Sequence, residues 1–181
     1  HWKETPLTTS PVLDRPNSGR TASLAINGGT PVSTRAAPFT STALSQGDID
    51  AALAVLKSGM LRAATKCTEL EDRWAKVTNA SHALTCANGT VALQMAYEAL
   101  FQPGDEILVP SWSFIATVSM VVARGCTPVF VDALPDTYQM DLADAARKVT
   151  AKTRGIAPTH IYGCPVDIDA TQALARKHNL K

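Results

Sequence analysis

Three short segments carry the residue types from which a binding site can be built. The first is Ala87-Asn88-Gly89-Thr90. Its glycine lets the backbone approach a ligand closely, its threonine adds a hydroxyl, and the helical period that follows brings free amides with a partial positive charge. That combination suits an anion. The same residues also have a purely local use, because asparagine caps helices well and glycine turns the chain. The segment has neither the GxGxxG of dinucleotide folds nor the GxxxxGK[ST] of P-loops. The second segment is Pro110-Ser111-Trp112-Ser113-Phe114-Ile115-Ala116-Thr117, whose aromatic pair can stack on a flat ligand or pack into the next helix. The third is Thr159-His160-Ile161-Tyr162-Gly163, where His160 can titrate near neutral pH or serve as a structural residue.

The remaining reactive types are dispersed. Cys67, Cys86, Cys126 and Cys164 form no CxxC or Cys/His ligand spacing, so no metal site is expected and the thiols read as buried free cysteines of a reducing cytoplasm. Lys57, Lys66, Lys76, Lys148, Lys152 and Lys177 fall in helices or loops and read as solvated side chains. The net charge of +1 comes from 17 basic and 16 acidic residues with no basic run, which argues against a nucleic-acid partner. No apolar run approaches the about 20 residues that span a bilayer, and no secretory signal precedes the first helix.

The elements that must position these segments follow from hydrophobic period. His1 to about Ala22 is rich in Thr, Ser, Pro, Asn and Gly and reads as part of a flexible arm over residues 1–23, followed by the turn cluster Asn27-Gly28-Gly29-Thr30-Pro31. A helix starts near Gln46 on Ile49, Leu53 and Leu56 and stops at Gly59. A second starts near Thr68, with Glu71 completing a capping box and Leu70, Trp74 and Val77 as its apolar stripe. Beyond it, short apolar runs at Ala83–Cys86, Ile107–Val109, Pro128–Val131 and Gly155–Pro158 alternate with helical periods at Val91–Leu100, Phe114–Ala123, Leu142–Val149 and Asp169–His178. Alternating strands and helices imply an α/β fold with right-handed crossovers and a parallel sheet, and runs apolar on both faces imply helices on both sides. With 45% apolar and 18% charged residues, the 181-residue chain can bury an ordinary core. Ligands of such a sheet sit beyond the carboxyl ends of its strands, where the three segments fall.

Taken in order, LAINGGTPV, ANGTVALQMAYEAL, PGDEILVPSWSFIAT, GCTPVFVD, DTYQMDL and THIYGCPVDIDA resemble the DegT/DnrJ/EryC1/StrS sugar aminotransferases, which make amino sugars, aminocyclitols and antibiotic precursors. The resemblance runs from about Leu24 to Lys181. It implies the aspartate aminotransferase fold, with residues 24–181 as the N-terminal part of a three-layer, mostly parallel large domain that binds pyridoxal phosphate and is incomplete in this chain. Gly89 and Thr90 match the family's Ser-Gly-Thr phosphate turn, with Asn88 replacing its serine, and Phe114 matches the aromatic residue stacked on the cofactor ring. Nothing assigns a role to Trp112. The expected reaction moves an amino group from glutamate or glutamine to a keto-sugar or keto-cyclitol, with pyridoxamine phosphate as the cycling form, in a cytoplasmic homodimer. The family's Schiff-base lysine and its ring-nitrogen carboxylate are expected beyond Lys181, so the isolated chain is expected to be inactive. The alternatives are a pyridoxamine-dependent sugar dehydratase of the same family and a short non-catalytic subunit that completes a partner chain. Leu61 to Thr68 departs from the family, which has a glycine in that loop near the substrate.

Overall fold

The computed structural model describes residues 23–31 and 43–181, so the expected N-terminal arm lies almost wholly outside the described residues. The described residues fall into two units, those up to Gly59 and Met60–Lys181. Within the first, the Asn-Gly turn cluster is present: a single 3-10 turn, Ala25–Asn27, closes on Gly28. Helix α1, Gln46–Ser58, begins at Ser45, whose hydroxyl accepts from the Asp48 amide while the Asp48 carboxylate accepts from the Ser45 amide at 2.8 Å. This reciprocal box satisfies two of the amides that a helix start leaves open. It ends at Gly59, as the sequence predicts.

The second unit opens with α2, Thr65–Thr78. The expected capping box at Thr68 is not formed: the helix begins three residues earlier, at Thr65, and its N-cap residue, Ala64, provides no side-chain cap. Glu71 turns elsewhere, accepting from the Thr85 amide at 2.8 Å and the Thr85 hydroxyl at 2.9 Å. Those donors hold its carboxyl below the usual range. Ala83–Cys86, expected as the first strand, is extended but pairs with no strand among the described residues. Its Thr85 amide is satisfied by Glu71 in place of a ladder partner.

The sheet has three parallel strands in the order β2-β1-β3: β1 Glu106–Pro110, β2 Thr127–Val131 and β3 Thr153–Ile156. Strand β1 runs in register with β2 from Glu106↔Thr127 to Pro110↔Val131, and with β3 at Ile107↔Gly155 and Leu108↔Ile156. Strand β3 ends two residues before the predicted Pro158, which has no amide to give to a ladder. Helices α3 (Gly89–Leu100), α4 (Ala116–Ala123), α5 (Leu142–Lys148) and α6 (Ile168–His178) fill the periods between them.

Period two sorts β1 onto two cores. Ile107 and Val109 pack with Tyr97, Phe101, Val121 and Cys126 beneath α3 and α4. Leu108 packs with Val131, Met140, Ala145 and Leu180 beneath α5 and α6. The three consecutive residues are 1%, 0% and 0% exposed, which is why the run is apolar at every position. Three layers result, helix, sheet, helix, as expected. Gly125 closes α4 with φ 78, a left-handed turn that leads directly into β2.

Two expectations about side chains are corrected. Of the four free thiols only Cys126 is buried; Cys67 is half-buried, and Cys86 and Cys164 are exposed because they lie on connections that face no core. Lys148 is not a solvated lysine: its ammonium donates to Asp144 Oδ2 at 2.7 Å and to the Phe130 carbonyl at 2.8 Å, tying α5 to β2. Lys66 is paired with Glu69 at 2.7 Å. No helix among the described residues is long and apolar enough to cross a membrane.

Candidate functional site

Parallel strands end on one edge, so the connections after β1, β2 and β3 share a rim. Helix α3 turns into β1 through residues 101–105, which returns the helix start, Gly89, to the same rim. There Asn88 is extended, and its Oδ1 accepts from the Val91 amide at 3.0 Å. The local capping role is therefore real, and it leaves the anion-binding role open. The cap takes the third amide of the helix, while the Gly89 and Thr90 amides and the Thr90 hydroxyl have no hydrogen-bond partner among the described residues. A side chain at Gly89 would meet nothing within 4 Å, so the backbone there is open to a ligand. Three unpaired donors at the start of a 12-residue helix fit a phosphate dianion.

The segment after β1 is fixed at both sides of Trp112. The Ser111 amide donates to the Val131 carbonyl at 2.9 Å. Ser113 Oγ lies 2.8 Å from Thr117 Oγ1 and 3.1 Å from Thr159 Oγ1. The second of these hydroxyl pairs bridges the rims of β1 and β3. Their following helices, α4 and α6, lie on opposite faces, so the bridge spans the crevice where an open sheet binds ligands. Thr117 is buried, and its carbonyl accepts from the Tyr97 hydroxyl at 3.1 Å. Burial raises the Tyr97 phenol above its ordinary range and keeps it a donor. Through that bond α3 is clamped to the first turn of α4, which sets the Asn88-Gly89-Thr90 turn relative to the segment bearing Phe114.

Phe114 itself is 73% exposed, which leaves its ring free to stack on a flat ligand. It shares the rim with Asn88, Gly89 and Thr90, and it is the clamp between α3 and α4, not a direct bond, that relates them. Trp112 packs instead on Tyr138, with ring centroids 5.9 Å apart. His160 is used structurally: its Nδ1 accepts from the Val166 amide at 3.1 Å. Sequence reasoning missed Tyr97, the Ser113–Thr159 bridge, and the left-handed Tyr138 and Tyr162. Only position gave a signal for Ser113 and Thr159, which both follow strand ends.

The chain matches the model of the DegT/DnrJ/EryC1/StrS aminotransferase family over residues 43–181. It is 43% identical over 113 residues to the UDP-N-acetyl-3-dehydro-alpha-D-glucosamine 3-aminotransferase of Acidithiobacillus ferrooxidans, a match covering 62% of this chain and 31% of that protein. The fold is similar to that of the aminotransferase from Psychrobacter cryohalolentis, with a TM-score of 0.75 and 37% identity over 79% of this chain and 37% of the other. It is equally similar, at TM-score 0.75 and 30% identity, to the Streptococcus pneumoniae protein Spr1654 in its PLP form, covering 78% of this chain and 36% of the other. The chain thus spans about a third of the length of the relatives it matches. Pyridoxal phosphate is the cofactor of this group, and the open amides at Gly89 and Thr90 together with the exposed Phe114 ring fit its phosphate and its ring. By the match of its residues 43–181, the chain belongs to the DegT/DnrJ/EryC1/StrS aminotransferase family.

Proposed function

We propose that this chain is part of a pyridoxal-phosphate-dependent aminotransferase that passes an amino group from glutamate or glutamine to a keto-sugar carried on a nucleotide. Residues 24–181 form the N-terminal part of its large domain. The observation that carries the reading is the unsatisfied turn: two amides and a hydroxyl at the start of α3, with a cap that leaves them free. Gly89 and Thr90 bind the cofactor phosphate, Asn88 holds the helix start that presents them, and Phe114 covers one face of the ring. Pyridoxal phosphate held there would supply the amino-group transfer chemistry, in its pyridoxal and pyridoxamine forms. The similarity to an aminotransferase whose name specifies a UDP-linked sugar supports the substrate class. Four free thiols, two of them exposed, support a reducing compartment, the cytoplasm. The working assembly is a homodimer.

We infer that the catalytic lysine is not among Lys57, Lys66, Lys76, Lys148, Lys152 and Lys177. Lys66 and Lys148 are held by carboxylates, and Lys57 and Lys76 lie in the last turns of α1 and α2. Equilibrium dialysis against pyridoxal phosphate, followed by borohydride reduction and peptide mapping, tests both halves. Saturable binding with no single lysine labelled stoichiometrically is expected. A specifically labelled lysine, or no saturable binding, would overturn the corresponding half.

A further inference from the structure

We propose that Trp112 and Tyr138 form a stacking platform that recognises the nucleobase of the sugar-nucleotide substrate, an assignment that rests on the function proposed above. Trp112 stands between two anchors on the rim, the Ser111 amide bonded to Val131 and the Ser113 hydroxyl bonded to Thr117 and Thr159. It lies two residues before Phe114. A side chain pinned on both flanks loses little freedom when it binds, which favours recognition. The indole is nonetheless not buried: Trp112 is 49% exposed and Tyr138 is 51% exposed. Their rings meet at 5.9 Å with planes inclined by 33°, an offset contact that leaves an open aromatic face on the rim.

Tyr138 is held there against its backbone preference. Its φ is 59, the left-handed region that bulky side chains rarely enter. The connection after β2 that carries it is fixed throughout. Asp141 donates to the Asp132 carbonyl at 2.8 Å, Leu134 to the Gln139 carbonyl at 2.8 Å, and Tyr138 to the Leu134 carbonyl at 2.9 Å. Next along the chain, the Gln139 side chain reaches the connection after β3, its Nε2 donating to the Pro165 carbonyl at 2.6 Å and the Cys164 carbonyl at 3.3 Å. A turn tied down at this many points keeps a strained residue in place, and such residues concentrate where geometry is needed for binding. What the strain delivers is the phenol ring beside the indole. An open, rigid aromatic pair next to the candidate cofactor ring is suited to a planar base, which every nucleotide offers whatever its sugar.

The test uses the purified chain, with UDP as probe and inorganic pyrophosphate as the control that lacks a base. UDP should quench the tryptophan fluorescence saturably, and pyrophosphate should not. Trp112→Ala should weaken UDP about tenfold in equilibrium dialysis, while Trp112→Phe, which keeps a ring, should stay close to the parent chain. Tyr138→Gly removes a ring and relieves the left-handed backbone together. It should lower UDP affinity without lowering the melting temperature, whereas a purely structural tyrosine would give the reverse. Equal UDP affinity in the parent and Trp112→Ala chains, or pyrophosphate binding as well as UDP, overturns the platform. So does an absence of UDP binding. Pyridoxal phosphate retention is measured in parallel. If it persists while UDP ignores Trp112, the platform fails and the cofactor reading stands; if it is lost while UDP quenching depends on Trp112, the reverse holds.

Discussion

At the start of α3, neighbouring residues divide two duties that substitutions separate. Asn88 completes the helix through the Val91 amide, whereas the Thr90 hydroxyl makes no hydrogen bond among the described residues. Asn88→Ala therefore acts on folding, costing about 1 kcal/mol for a lost N-cap in a urea titration. Thr90→Ala leaves the cap intact and acts on the ligand. Removing one hydroxyl bond to a phosphate weakens pyridoxal phosphate by about 1.5 kcal/mol, roughly tenfold, in equilibrium dialysis, with unchanged urea midpoint. Equal midpoint losses in the two variants would mean that Thr90 is structural and that the anion reading of the turn is wrong. The helix start itself was legible because its residues are contiguous. The Ser113–Thr159 bridge was not, because its partners lie 46 positions apart and only the pairing of β1 with β3 brings them together. Tyr97 was hidden for the same reason: it reads as one more apolar position of α3 until its hydroxyl is seen on Thr117.

Between elements, close approach sets the tolerances. A Cβ on Gly155 would lie 2.3 Å from Phe101 Cζ and 3.2 Å from Ile107 Cδ1. Gly155→Ala thus forces the Phe101 ring, 3% exposed, to move within a closed core, costing about 1–3 kcal/mol in a urea titration. An unchanged midpoint would show that the ring repacks freely. On the other face, Asp144 ties α5 to β2. Its carboxylate accepts from Lys148, from the Asp132 amide at 2.8 Å and from Arg147 at 3.1 Å, and these donors hold its pKa down at about 2. In the unfolded chain an aspartate titrates near ~3.9. The depressed folded value means that its stabilisation is present above the unfolded pKa and is lost as pH falls from about 4 towards about 2. The urea midpoint of the parent chain should approach that of Asp144→Asn across this window, and a constant gap would refute the linkage. The two-faced burial of β1 followed from its apolar run, since only a strand covered on both sides is apolar at three successive positions, whereas the order β2-β1-β3 could not be read from the runs. Ala83–Cys86 also reads as a short, mostly apolar run, yet a strand needs a ladder partner, and composition does not say whether one is present. Thr68 and Glu71 matched a capping box in spacing, but the Thr85 donors, 14 positions away, captured the carboxylate.

For the whole molecule, the unit formed by residues 60–181 leaves a good deal of apolar surface uncovered. Leu70, Trp74, Val77 and Leu84 are 54%, 59%, 80% and 76% exposed. Leu70, Trp74 and Leu84 line a groove of about 310 Å³ together with the extended backbone of Ala83–Cys86. A monomeric protein seldom leaves contiguous apolar patches of more than a few hundred square ångströms in water, and an unpaired extended segment adds open backbone donors and acceptors. The proposed homodimer offers one way to reduce that exposure, and it makes association depend on these side chains. Sedimentation velocity from micromolar to near-millimolar concentration should show a species larger than the 19.2 kDa monomer, with the dimer as its first step. A charge placed in the groove, Leu84→Asp, should shift the distribution back towards monomer while the circular dichroism spectrum stays the same, because Leu84 belongs to neither buried core cluster. A chain that remains monomeric throughout the concentration range would count against the dimer. One that associates equally well with Leu84→Asp would place the contact on another face, where the exposed Phe130 of β2 is the next apolar candidate.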